Sequence, residues 1–264
     1  ETYTPLEWHK PLKDLCEKLG VIFFSTPYSP EATDFLEELD IPLYKIASME
    51  LMDLPLVEYV ARKGKPIIMS RGMSEEEEIN KAIQACRDVG NDNIILLHCV
   101  SDYPTKLEDA NVSVVQSIIK EMNVISGVSD HSEGHIVPVA STVLGGRVIE
   151  KHVILHKDLG GPDAAFSMTI EEFSEMVQIV RETEKALGNG KFQLPKKVKD
   201  QKITKRSLFA VKDIKKGDVF TKENIRSIRP GHGMNPNDLP ETLGKKANQD
   251  ISLGTPLKKE MLDN

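Results

Sequence analysis

Short apolar runs alternate strictly with longer amphipathic segments over residues 21–187, and this alternation constrains the fold more than any other feature. The runs cover residues 21–24, 43–47, 66–69, 94–98, 124–128 and 147–153. Each has the length of a buried strand, and the segments between them, 30–39, 54–62, 74–89, 112–122 and 136–144, read as helices. Strands apolar on both faces and joined by helices indicate right-handed parallel crossovers, hence an α/β sheet or barrel. Strand starts recur every ~20 to 30 residues, close to what eight units in about 250 residues require. No GxGxxG follows the first run, which disfavours a doubly wound sheet. The expected fold class is α/β, a (β/α)8 TIM-type barrel.

Thr169 and Glu172 form a capping box ahead of Phe173, Met176, Val177, Val180 and Leu187, and Gly188 can end that helix. The barrel portion is therefore expected at 1–188. Residues 189–205, rich in lysine and holding Pro195, read as a linker. Short β-like runs broken by Lys215-Lys216-Gly217, Arg229-Pro230-Gly231 and Leu253-Gly254-Thr255-Pro256 predict a small β-rich domain at 206–264. At the other end, Thr4, Pro5 and Glu7 match the N-cap, N1 and N3 positions of a helix through Leu12, Leu15 and Leu19. A closed barrel needs two more strands than the runs supply, and an apolar open edge invites aggregation. The expectation is that a leading strand, helix and strand are absent from this chain.

A net charge of −7 provides no general attraction for a nucleic-acid backbone. No run of about 20 apolar residues and no signal-peptide pattern occurs, so neither membrane nor nucleic acid is an expected partner and a cytoplasmic location is expected. Cys16, Cys86 and Cys99 have no metal-type spacing and read as buried free thiols.

In a parallel barrel the site lies where strands end. Those ends carry Thr26, then Lys45 with Ser48 and Glu50, then Ser70, Ser101 with Tyr103, Ser129 with His131, and Glu150-Lys151-His152. Several hydroxyls and a lysine suit a phosphate or carboxylate, because short donors converge on its oxygens without bulk. Taken singly, each hydroxyl is as well explained as a helix cap. His131 and His152 end consecutive strands and could hold a divalent metal acting as a Lewis acid, with His98 as a competing candidate. The plain alternative is that both are structural or solvated. Glu50 could orient a hydroxyl or water, or simply face a helix N-terminus. The acidic run Glu75 to Glu78 opens a helix and needs no catalytic explanation.

Together, Phe24-Ser25-Thr26-Pro27-Tyr28, Tyr44-Lys45-Ile46-Ala47-Ser48-Met49-Glu50, Leu97-His98-Cys99, Tyr103-Pro104-Thr105, Val128-Ser129-Asp130-His131, Glu150-Lys151-His152 and Gly161-Pro162-Asp163-Ala164-Ala165-Phe166-Ser167 resemble the sialic acid synthase family. Ser207-Leu208, Asp213-Ile214-Lys215-Lys216-Gly217 and Arg229-Pro230-Gly231-His232-Gly233 resemble its antifreeze-like (SAF) domain. The resemblance implies an eight-stranded barrel joined to a SAF domain, a divalent metal (Mn2+ or Mg2+), and a domain-swapped homodimer. It implies phosphoenolpyruvate and an N-acetylated amino sugar as substrates. His131 and His152 would hold the metal. Thr26, Lys45, Ser48, Ser70, Ser101 and Ser129 would surround phosphoenolpyruvate. Glu50, Tyr103 and Asp163 would face the sugar, and Arg229 would reach the partner subunit's site.

Within the family, Tyr3-Thr4-Pro5-Leu6-Glu7-Trp8-His9-Lys10 and Cys86-Arg87-Asp88-Val89-Gly90-Asn91-Asp92 are most similar to the pseudaminic acid synthase branch, with N-acetylneuraminate and legionaminate synthases as neighbours. Arg71, Val100 and Asp102 depart from the family pattern near the phosphate. The glutamate and lysine that the family's first strands bring have no counterpart here, which leaves the activity of this chain by itself open. Two other readings are a non-catalytic sugar-binding barrel and a barrel aldolase using Lys45 as a Schiff-base nucleophile.

Overall fold

Five of the six expected runs pair into one parallel sheet in the order β1 (Tyr44–Ile46), β2 (Ile67–Ser70), β3 (Ile94–Cys99), β4 (Ile125–Asp130) and β5 (Val148–Lys151). Sequential order has no reversal and so no topological switch point, and right-handed crossovers repeated in one direction lay the helices on one face. That is barrel winding rather than a doubly wound sheet. The sixth run differs: residues 21–24 form no strand, and Val21 and Ile22 are exposed. An extended segment becomes a strand only where a neighbour supplies alternating donors and acceptors. Among the described residues, β1 has β2 as its one ladder partner.

This sheet belongs to a computed structural model that describes residues 4–263. Tyr3, which contributes to the likeness to one branch of the family, lies outside them. The chain divides into two units, Glu1–Asn189 and Gly190–Asn264, and by this division residues 190–205 fall with the second.

Local sequence accounts for the helices that carry the strands round. Helix α1 (Leu6–Leu19) begins one residue later than the sequence suggests: Pro5 is its N-cap and no side chain caps it, because proline has the fixed φ but no side-chain acceptor. Ser29 accepts from the Ala32 amide to start α2 (Pro30–Glu38), and Asp53 from Leu56 to start α3 (Leu54–Ala61). Glu75 and Glu78 form a reciprocal capping box at α4 (Glu76–Asp88), which explains the acidic run without chemistry. Helix α5 (Val114–Ser117) runs on into a π-turn over Ile118–Met122, closed by Asn123 at φ 53°. Helices α6 (Ile136–Val143) and α7 (Ile170–Leu187) complete the unit, α7 opening with the expected Thr169–Glu172 box.

Ile46, Ile67, Met69 and Leu96 from the strands pack with Val57, Val60, Ala82 and Cys86 from α3 and α4, all fully buried. A core this closed fixes strand spacing, and with it the rim where the strands end. Cys86 and Cys99 are buried free thiols as expected, whereas Cys16 on the first helix is only half-buried. In the second unit β6 (Ser207–Ala210) and β7 (Ile225–Ile228) pair antiparallel over a core of Leu208, Ile214, Phe220, Ile225 and Leu257. No helix among the described residues is long and apolar enough to cross a membrane.

Gly127, in the middle of β4, is a point of close approach: a Cβ there would meet the Val148 carbonyl oxygen at 1.9 Å. The obstacle is backbone and cannot rotate away. Gly127→Ala is expected to destabilise the protein by about 3 kcal/mol, the upper end for overpacking, read as a lowered urea midpoint with an unchanged slope.

Candidate active site

The C-terminal ends of β1 to β5 surround a cleft of about 480 Å³. Its lining includes Thr26, Lys45, Ser48, Glu50, Ser70, Ser101, Tyr103, Ser129, His131 and His152. Ten of the residues singled out from sequence thus meet in one place, because parallel strands in sequential order all end on the same rim. Asp163 reaches the site through His152, its carboxylate 3.4 Å from Nδ1. Arg229 belongs to the second unit, one residue beyond β7.

Lys45 is the cationic centre of the floor. It is buried, and its ammonium donates to Ser70 Oγ at 2.8 Å and to the Ile46 carbonyl at 3.3 Å, with the Glu150 carboxylate 3.6 Å away. Ser129 Oγ donates to Glu150 at 2.5 Å. Ser48 accepts from the Gly72 amide at 3.0 Å. Gly72 is required by this crowding, since a Cβ there would lie 2.2 Å from Ser101 Oγ and 2.7 Å from Ser48 Oγ. Ser101 Oγ and Glu50 Oε2 are buried without a partner. Buried polar atoms are normally paired, so two orphans in one cleft mark where a polar ligand's groups would go.

The two imidazoles face one another with ring centroids 5.2 Å apart. His131 Nδ1 lies 2.9 Å from the Val100 carbonyl, which can only accept, so Nδ1 carries the proton. The Asp163 carboxylate lies 3.4 Å from His152 Nδ1, within ion-pair reach. The Nε2 lone pair of His131 is left open, as in metal sites where a ligating histidine gives its other N–H to a carbonyl or carboxylate. Among the described residues no cluster of three His, Cys, Asp or Glu is assembled here. The donor set fits a divalent cation that takes two imidazoles and keeps its remaining positions for water and substrate. His98, the competing candidate, is committed elsewhere: Nε2 to the Ala110 carbonyl at 2.8 Å and Nδ1 to Arg71 at 3.2 Å.

Aromatic rings form one wall. Tyr103 lies 4.2 Å from the His131 ring and Phe166 lies 5.0 Å from that of His152. Burial opposes protonation of both histidines, but the outcomes differ. At His131 the Cys99 sulfur, the Val100 carbonyl and the Asp130 charge outweigh burial and raise the pKa. At His152 burial and the neighbouring His131 together lower it, despite Asp163 and Glu150. Burial would raise the Cys99 thiol, yet His131 and the hydroxyls of Ser48 and Ser129 bring it below the usual range.

The departures from the family pattern do not line the cleft. Arg71 points to His98 and the Ser74 carbonyl, Val100 offers His131 its carbonyl, and Asp102 accepts from the Tyr103 amide. Glu150, Tyr28, Met49 and Cys99 also line the cleft and were assigned no role from sequence. Glu150 has a signal in the sequence: it lies two residues before His152, within the strand run expected over 147–153, and so belongs on the same face.

In metal-free protein the C2–H proton resonances of the two histidines should titrate apart, His131 above and His152 below the ordinary value near 6.5. Coincident midpoints would contradict the Cys99 and Val100 contacts as the cause of the split.

Residues 1–192 match the NeuB family and residues 205–263 the SAF domain. A pseudaminic acid synthase of Campylobacter jejuni subsp. jejuni is 43% identical over 255 residues, covering 97% of this chain and 74% of that protein. An N,N'-diacetyllegionaminic acid synthase of Legionella pneumophila is 35% identical over 266 residues, covering 97% and 74%. Among solved structures, the N-acetylneuraminic acid synthetase of Leptospira borgpetersenii, crystallised with citrate, superposes with a TM-score of 0.71 at 31% identity, covering 75% of this chain and 69% of that one.

Proposed function

The chain belongs to the NeuB family, with a C-terminal SAF domain, and on that premise we propose that it is a pseudaminic acid synthase. The reaction condenses phosphoenolpyruvate with 2,4-diacetamido-2,4,6-trideoxy-L-altrose. The observation that carries this reading is the convergence of Lys45, Ser48, Ser70, Ser101, Ser129, His131 and His152 on one cleft, in a chain 43% identical to a pseudaminic acid synthase. The proposed limits are a barrel portion at 1–188, a linker at 189–205 and the SAF domain at 206–264, in a cytoplasmic, domain-swapped homodimer. Arg229 would then act in the partner subunit's site.

C3 of phosphoenolpyruvate attacks the open-chain sugar aldehyde, forming the C–C bond while the aldehyde oxygen takes up a proton. Water adds to the resulting cation at C2 and loses a proton, and the bond from C2 to the phosphate oxygen then breaks as the C2 hydroxyl gives its proton to the departing phosphate, leaving a C2 ketone and inorganic phosphate. Lys45 and the Ser48, Ser70, Ser101 and Ser129 hydroxyls, joined by Thr26, form a preorganised set of donors for the carboxylate and phosphate oxygens. Lys45 acts here as a hydrogen-bonding cation, already held by Ser70 and Ile46, and not as the nucleophile of an imine. Glu50, with its unpaired oxygen, orients the sugar or the attacking water, and Glu150 stands beside Ser129 and Lys45 as a second carboxylate at the reacting end. Tyr103 packs on the His131 ring and Phe166 on the His152 ring, which holds both imidazoles in place. A divalent cation, Mn2+ or Mg2+, held by His131 and His152 would supply Lewis-acid polarisation of the aldehyde when bound.

Phosphate release from phosphoenolpyruvate with Mn2+ tests this directly. Release with the diacetamido-altrose and not with N-acetylmannosamine is expected. Release with N-acetylmannosamine or the legionaminate precursor alone would move the acceptor to a neighbouring branch, and binding of sugar with no release from any acceptor would favour a non-catalytic barrel. Lys45→Met should lower kcat/KM at least 100-fold by removing a charged donor worth about 3 kcal/mol in a dry site.

A further inference from the structure

Strand alternation sends successive side chains to opposite faces, so the residues between the site groups on β4 and β5 point away from the cleft. Ser129 and Glu150 are register partners and meet inside it. The next pair in the same register is Asp130 and Lys151. Their side chains are 3% and 1% exposed and joined at 2.9 Å. Asp130 Oδ1 also accepts from the Ser132 amide at 2.9 Å, and the Lys151 ammonium also donates to the Ser132 carbonyl. The carboxylate and the ammonium therefore clamp residues 130–132 at both ends. The residue inside that clamp is His131, and the residue following Lys151 is His152.

We infer that the buried Asp130–Lys151 ion pair is a positioning device that locks the backbones carrying His131 and His152 so that their open nitrogens converge on one divalent cation. The inference rests on the metal reading above. An isolated buried ion pair is weak evidence for stability, since desolvation offsets most of its attraction. A geometric role accounts better for two charges sealed behind the site, each adjacent in sequence to a histidine and both fastened to the same turn. Neither side chain lines the cleft, so neither is a catalytic residue.

Mn2+ binding to the metal-free protein, read from loss of the free-ion EPR signal, tests this without turnover. His131→Ala and His152→Ala should abolish binding. Asp130→Asn and Lys151→Met should each weaken it about tenfold, the lower end for residues supporting metal ligands, and the double variant should be no weaker than the worse single one. Circular dichroism separates this from unfolding. Should either single variant unfold, Asp130→Glu keeps both charges while moving the carboxylate by one methylene, and a several-fold loss is expected there too. Wild-type Mn2+ affinity in a folded variant at either position, or additive losses in the double, would overturn the clamp while leaving the two-histidine site standing. Binding that survives both histidine substitutions would overturn the metal reading itself, and the clamp with it.

Discussion

Hydrogen bonding in a parallel ladder forces neighbouring strands into register, and side chains then alternate across the sheet with a period of two. Everything at this site depends on that pairing. Because β3, β4 and β5 run in register, Ser129 stands against Glu150 and Asp130 against Lys151. One pair becomes part of the cleft and the other a buried brace behind it. A slip of one residue in β5 alone would turn Lys151 toward the site and Glu150 among the helices, breaking both pairs.

The apolar layer between strands and helices makes this register costly to leave. Tyr44, Ile46, Ile67, Met69 and Leu96 are closed off entirely, so the strand ends have no freedom to fan apart. Polar groups at the rim are correspondingly tightly held. Lys45 is fixed by Ser70, Ser48 by Gly72, His131 by Val100 and His152 by Asp163. Among the buried polar atoms without a partner, Ser101 Oγ and Glu50 Oε2 belong to residues lining the cleft, where a substrate can satisfy them. Preorganisation of this kind places the cost of orienting donors in folding rather than in the reaction.

Much of this was legible beforehand. The apolar runs, the acidic run at Glu75 to Glu78 and the capping box at Thr169 located helices and five strands, and the structure adds caps at Ser29 and Asp53. Residues 21–24 had the same composition and formed no strand. Composition shows that a segment can pair, not that it does: the second edge of β1 has no ladder partner among the described residues. Likewise the cap at Thr4 failed because the side-chain pattern matched while the backbone took its turn at Pro5.

The amino-acid sequence by itself determined the fold class and the set of residues carried to the site, because strand ends in a sequentially wound sheet must share one rim. Only the tertiary structure decided their individual roles. It turned Arg71 and His98 toward each other and away from the cleft, brought Glu150 onto Ser129 and Lys45, and set which nitrogen of His131 is free. Those outcomes depend on distances of about 3 Å between residues as many as 105 positions apart, such as Lys45 and Glu150. A distance of that kind follows from how the strands stack and pack, which no local pattern encodes.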